Sequence, residues 1–141
     1  MSNELAVNES VEMSVDSSNF QGISWCSLPM ETEEDKKRLF NIVSMPDEKL
    51  KEHINQELKI EHVFFQEIEM VNKKTGGITI APRIIFIDDE GTSYSCVSSG
   101  IKTSIKNLMS IFGKPPWKPA LTIIPKLVNA GEGQILTIKL K

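Results

Sequence analysis

Two cysteines, one tyrosine, two tryptophans and two histidines are all that 141 residues hold of these types, and each scarcity closes a route to function. Cys26 and Cys96 lie far apart, with no CxxC spacing and no Cys/His partner. A disulfide framework and a zinc ribbon are therefore both out of reach, and the pair reads as reduced thiols of a cytosolic protein. His53 and His62 fall in different segments, away from any carboxylate-and-nucleophile constellation, so no metal site and no catalytic residue is expected. Lys74-Thr75-Gly76 lacks the preceding glycines and the following helix of a phosphate loop. Asp88-Asp89-Glu90, followed by Gly91 between two strand-like runs, reads as a solvated turn and not as a set of metal ligands. Apolar runs fall far short of the ~18 residues needed to cross a bilayer. The N-terminal stretch MSNELAVNESVEMSVDSS has neither the basic nor the apolar region of a signal peptide. The expectation is a cytoplasmic protein that uses no cofactor and is not an enzyme.

Cations are missing from one end. Residues 1–35 carry eight carboxylates and no lysine or arginine, whereas residues 36–141 hold all 16 basic residues against 11 acidic ones. The overall net charge of −3 hides this split. A basic domain behind an acidic tail is the charge pattern of a polyanion binder.

Residues 1–18, rich in Ser, Asn and Glu with no apolar period, cannot bury enough surface to offset the entropy of ordering and read as a disordered acidic tail. Residues 19–56 form a second unit. Phe20, Ile23, Trp25, Leu28 and Met30 make an apolar docking segment around Gly22 and Pro29. Thr32-Glu33-Glu34-Asp35 then fits a capping box, and Leu39, Phe40 and Val43 share a helical face. Pro46 ends that helix and opens another with Leu50 and Ile54, giving a helical hairpin or one bent helix.

From residue 57 to 141 the period is mostly two. Lys59 to Val71 is a long strand with Ile60, His62, Phe64, Ile68 and Met70 on one side. Asn72 to Gly77 is a hairpin loop. Ile78 to Ile87 is a second strand in which Pro82 marks an edge or a bulge, and Thr92 to Ser98 is a third. Ile101, Ile105, Leu108 and Phe112 then trace the apolar stripe of a helix, stopped by Gly113 and Pro115-Pro116. Ala120 to Val128 and Gln134 to Lys141 are the last two strands. The order β-β-β-α-β-β is that of an OB-fold, a five-stranded Greek-key barrel, so the chain is expected to be mainly β.

A sequence-tolerant binder of single strands needs cations along a groove and flat side chains for stacking. The barrel half supplies Lys73 and Lys74 in the first hairpin loop, Arg83 and Tyr94 on strands, and Lys114-Pro-Pro-Trp117-Lys118 after the helix, with Phe65 as a further ring. In an OB-fold the ligand face is the second and third strands with the loops joining strands one to two and four to five. Each member also has a plainer role. Tyr94 suits a half-buried barrel position, Trp117 suits a plug after the helix, and Lys73 and Lys74 suit a soluble hairpin tip. Of Phe64, Phe65 and Phe86, at least two must be core.

Phe40-Asn41, Pro46-Asp47, Pro82-Arg83, Ile87-Asp88, Gly91-Thr92, Tyr94, Val97-Ser98, Gly100-Ile101, Phe112-Gly113 and Trp117 together resemble the small single-stranded DNA-binding proteins of Gram-positive bacteriophages and mobile elements. The resemblance spans roughly residues 38–128. It implies an OB-fold that coats single-stranded DNA during phage DNA replication in the bacterial host cytoplasm, with Arg83, Tyr94 and Trp117 as the residues of interest. It also raises replication proteins as partners. Housekeeping bacterial relatives end in an acidic tail that recruits such proteins. This chain ends in Ile138-Lys139-Leu140-Lys141, so any tail function is expected in residues 1–18. The rival expectation is an OB-fold interaction module that docks a replication or transcription partner through residues 20–55.

Overall fold

The computed structural model describes residues 25–131 and 133–141. The expectations for residues 1–18, Phe20 and Ile23 lie outside those residues. In chain order the elements are β1 (Trp25–Cys26), α1 (Glu33–Ser44), β2 (Glu48–Lys49), a 3-10 turn (Leu50–His53), β3 (Leu58–Val71), β4 (Ile78–Asp88), β5 (Ser93–Val97), α2 (Ser99–Phe112), β6 (Leu121–Ala130) and β7 (Gly133–Leu140). From β3 onward this is β-β-β-α-β-β. The sheet order is β2-β5-β4-β3-β6-β7, and β1 pairs with β3. β3 is the shared strand, pairing with β4 along most of its length and with β6 only at Leu58, Lys59 and Ile60. That arrangement is the curled sheet of an OB-type fold. No helix among the described residues is long and apolar enough to cross a membrane.

A bulge decides which residues of β3 face inward. Ile60 lies opposite Asp88 and His62 opposite Ile87, so Glu61 is one residue too many on its strand. The alternation shifts phase there. Ile60 and Val63, three apart, both enter the inner core with Ile84, Phe86, Tyr94 and Trp117. Phe64 turns to the other face and packs with Ile85, Ile87, Leu28, Leu39 and Ile42. The single side expected for Ile60, His62 and Phe64 is therefore split, because an inserted residue reverses every side chain beyond it.

Helix α1 covers that outer face. It starts as expected, with Thr32 Oγ1 accepting from Asp35 N–H at 3.0 Å and Asp35 Oδ2 accepting from Thr32 N–H at 3.2 Å. Its buried residues are Leu39 and Ile42, and Phe40 points to solvent. The helix expected after Pro46 shrinks to the 3-10 turn at Leu50–His53, preceded by β2. Asp47 is drawn instead to β5, where Ser93 N–H donates to Asp47 Oδ2 at 3.0 Å and Asp47 N–H donates to Ser93 Oγ at 2.9 Å. This lays β2 parallel to β5, with Glu48 opposite Tyr94, and sends Leu50 fully into the inner core.

β2 takes the edge of β5 that a closed barrel would offer to its last strand, and α2 bridges the gap to β7. Ser98 Oγ accepts from Ile101 N–H at 3.2 Å, capping α2, and donates to Leu136 O of β7 at 3.2 Å. Ser104 and Thr137 hydroxyls meet at 2.9 Å. Gly100 lies so close to β7 that a Cβ there would run into the Leu136 carbonyl oxygen and sit 2.6 Å from Ile135 Cγ2. Ile101, Ile105 and Leu108 of α2 are buried, whereas Phe112, the last residue of the expected stripe, is largely exposed.

Candidate nucleic-acid interface

The β3–β4 hairpin runs past the sheet as a two-stranded arm. β5 pairs with β4 only from Arg83 to Ile87, while β3 and β4 stay paired out to Val71 and Ile78. Pro82 is the first residue beyond the β5 ladder, where a missing N–H breaks no bond on that side. At the tip, Asn72 Oδ1 accepts from Lys74 N–H at 2.9 Å and Thr75 N–H at 3.3 Å. Asn72 N–H donates to Gly77 O at 2.8 Å, and Gly76 supplies the positive φ of 74° that closes the loop. The turn is thus ordered by the Asn72 side chain and its own backbone. Lys73 and Lys74 are exposed on it.

Arg83 is placed differently. Opposite Gln66 on the outer face, it lies beneath α1, where Nη2 donates to Val43 O at 2.7 Å and Nη1 to Gln66 Oε1 at 3.3 Å. Burial pulls the guanidinium down to about 10. It holds the last turn of α1, whose free carbonyls attract a cation. The Cys96 thiol nearby is pushed up to about 12 by desolvation, which leaves it unreactive.

The two leading stacking candidates face inward. Tyr94 pairs with Phe86, so its ring belongs to the inner face, and it is 7% exposed. Its hydroxyl donates to Asp88 Oδ2 at 3.2 Å, and its ring meets His53 edge-on at 5.1 Å. Desolvation first and Asp88 second push it up to about 12. Trp117 is 5% exposed, with Nε1 donating to Gly113 O at 3.0 Å and its backbone N–H to Glu61 O at 2.9 Å. It occupies the plug position, and the bulge residue Glu61 anchors it. In this conformation neither ring presents a face to a base.

Lys114 and Lys118 flank Trp117 and remain exposed, Lys118 with Nζ 3.4 Å from Glu61 Oε2. Phe65 is half-buried under Lys102, whose Nζ lies 5.5 Å from the ring centre. The site residues therefore do not converge on one groove. Lys118 sits beside Glu61, and the Lys73–Lys74 tip is roughly 30 Å away by the rise of β3. Among the described residues, no group of three or more His, Cys, Asp or Glu is placed to hold a metal ion.

Phe40, expected on the apolar face of α1 with Leu39 and Val43, faces outward instead: it is 69% exposed, beside Lys36 and Lys37. Ile42 takes the buried place, because Leu39, Ile42 and Val43 fall at i, i+3 and i+4. Nearby, burial lowers the pKa of His62 against the opposing pull of Glu61, whose carboxylate lies 3.9 Å from Nε2.

A family model described as phage single-stranded DNA-binding protein, of the Phi29 type, matches residues 19–141. The chain belongs to this family. No curated protein and no solved structure matches it. In this phage single-stranded DNA-binding protein the matched region includes α1 and β1 as well as the barrel, so the cover on the outer face is part of the family's domain.

Proposed function

We propose that the chain binds single-stranded DNA largely without regard to sequence and without catalysis, during phage DNA replication in the host cytoplasm. The observation that carries this reading is the arm, which holds two exposed lysines at the tip of an ordered turn on a curled OB-type sheet. Lys73, Lys74, Lys114 and Lys118 neutralise phosphates, and Phe65 offers a partly open ring. Arg83, Tyr94 and Trp117 keep the scaffold in shape. Residues 57–141 are the binding barrel, residues 25–56 brace it, and residues 1–18 contribute negative charge.

The test is fluorescence anisotropy with oligo-dT, oligo-rU and duplex across a salt series. Oligo-dT should bind more tightly than duplex, because stacking needs unpaired bases. Four neutralised phosphates predict a slope of log K against log salt of roughly −3, and Lys73→Ala with Lys74→Ala should flatten it by up to about 1.4. Equal or tighter binding to duplex would refute the reading. The docking-module alternative draws on the exposure of Met30, Phe40 and Met45, and it gains if the double lysine variant keeps the full slope.

A further inference from the structure

Among the described residues, helix α1 is held by one face only. Leu39 and Ile42 pack on Phe64, Ile85 and Ile87, and Arg83 grips the Val43 carbonyl. The opposite face carries Lys36, Lys37, Phe40 and Asn41, all exposed and lining one shallow depression with Glu33. Lys36 and Lys37 precede Phe40 by four and three residues, which puts both cations over the same helical surface as the ring. No other phenylalanine, tyrosine or tryptophan among the described residues is as exposed as Phe40.

We propose that this face of α1 is a second contact for single-stranded DNA, in which Phe40 stacks on a base and Lys36 and Lys37 neutralise the flanking phosphates. The inference rests on the single-strand reading above and extends it to an element outside the barrel. An aromatic ring among mobile cations is what a sequence-tolerant single-strand site requires. A protein-docking patch of the same size would be depleted in lysine around its apolar centre, and this one is not. One carboxylate shares the surface: Glu33 lies 3.3 Å from Lys37. That pair is largely exposed on both sides, so phosphate can compete for the cation.

Phe40 contributes to neither core, so its substitution separates binding from folding. With the full chain and oligo-dT, Phe40→Ala should weaken binding roughly 5- to 150-fold, the equivalent of losing one stacked base, and leave the salt slope unchanged. Lys36→Ala with Lys37→Ala should flatten the slope by up to about 1.4. Phe40→Trp should restore affinity and add fluorescence quenching on oligo-dT beyond that of Trp25 and Trp117. Circular dichroism and melting should match the parent in every variant. If the parent binds oligo-dT and Phe40→Ala binds equally well, the α1 contact is overturned while the family function stands. If the parent fails to bind oligo-dT, both fall. If Phe40→Ala leaves binding intact and abolishes a concentration-dependent sedimentation shift of the parent, the face joins copies of the chain instead.

Discussion

Between Ile60 and Phe65, β3 is covered on both sides, by the inner core beneath and by α1 above, whereas from Val71 to Ile80 the same hairpin has no buried residue. One strand pair thus passes from the most enclosed part of the molecule to its most open part. Enclosure is where burial free energy accumulates, and the open arm adds little of it. The arm is correspondingly free to change, and it carries Lys73 and Lys74 at its tip. The stabilising core and these two lysines are separated along a single strand pair.

Substitutions at either end test that separation. The largest effect is expected at Phe86, fully buried opposite Val63 and Tyr94. Phe86→Ala should cost about 3–5 kcal/mol in a urea titration followed by circular dichroism. A loss under 1 kcal/mol would mean that the enclosed end is not the stabilising one. Gly100→Ala comes next. In an open helix the change would help by up to about 1 kcal/mol. Here the new methyl meets the Leu136 backbone, which has little room to yield, so a net loss of about 1–3 kcal/mol is expected. Stabilisation in the same titration would show that α2 does not close the sheet against β7. The smallest effect is expected on the arm, where Ile78→Thr with Ile80→Thr should stay within about 0.5 kcal/mol per site. A larger loss would show that the arm is packed against something in solution, and sedimentation would reveal whether that is a second copy.

The order of the barrel elements was legible because each strand and α2 has its own turn chemistry and period. Gly91, Gly113 and the Asn72–Gly77 loop punctuate the chain where the structure turns. The bulge was not legible. Lys59 to Val71 alternates well enough to read as one continuous strand, and nothing local distinguishes Glu61 as the surplus residue. Its partners are Asp88 and Ile87 across the hairpin and the Trp117 backbone, all remote in sequence. The direction of Tyr94 follows from its register with Phe86, again a pairing that composition does not reveal. α1 was half legible. Its cap could be read directly, but choosing between Phe40 and Ile42 as the buried partner of Leu39 requires knowing that Phe64 and Ile85 wait beneath. Position 46 misled for a related reason, since proline there starts a helix as readily as an extended segment, and the decision belongs to Ser93.

That contact between Asp47 and Ser93 bears on how crowded the protein can be. A binder that works stoichiometrically, one copy per stretch of strand, has to stay soluble at high local concentration. An uncovered strand such as β5 would present its backbone to the next copy and template sheet growth. Two residues of β2 and one carboxylate clasp occupy that position instead. So small a cover puts much of the protection of this edge on one side chain: loss of the Asp47 carboxylate is expected to show as turbidity in concentrated solution before it shows as a lower melting temperature.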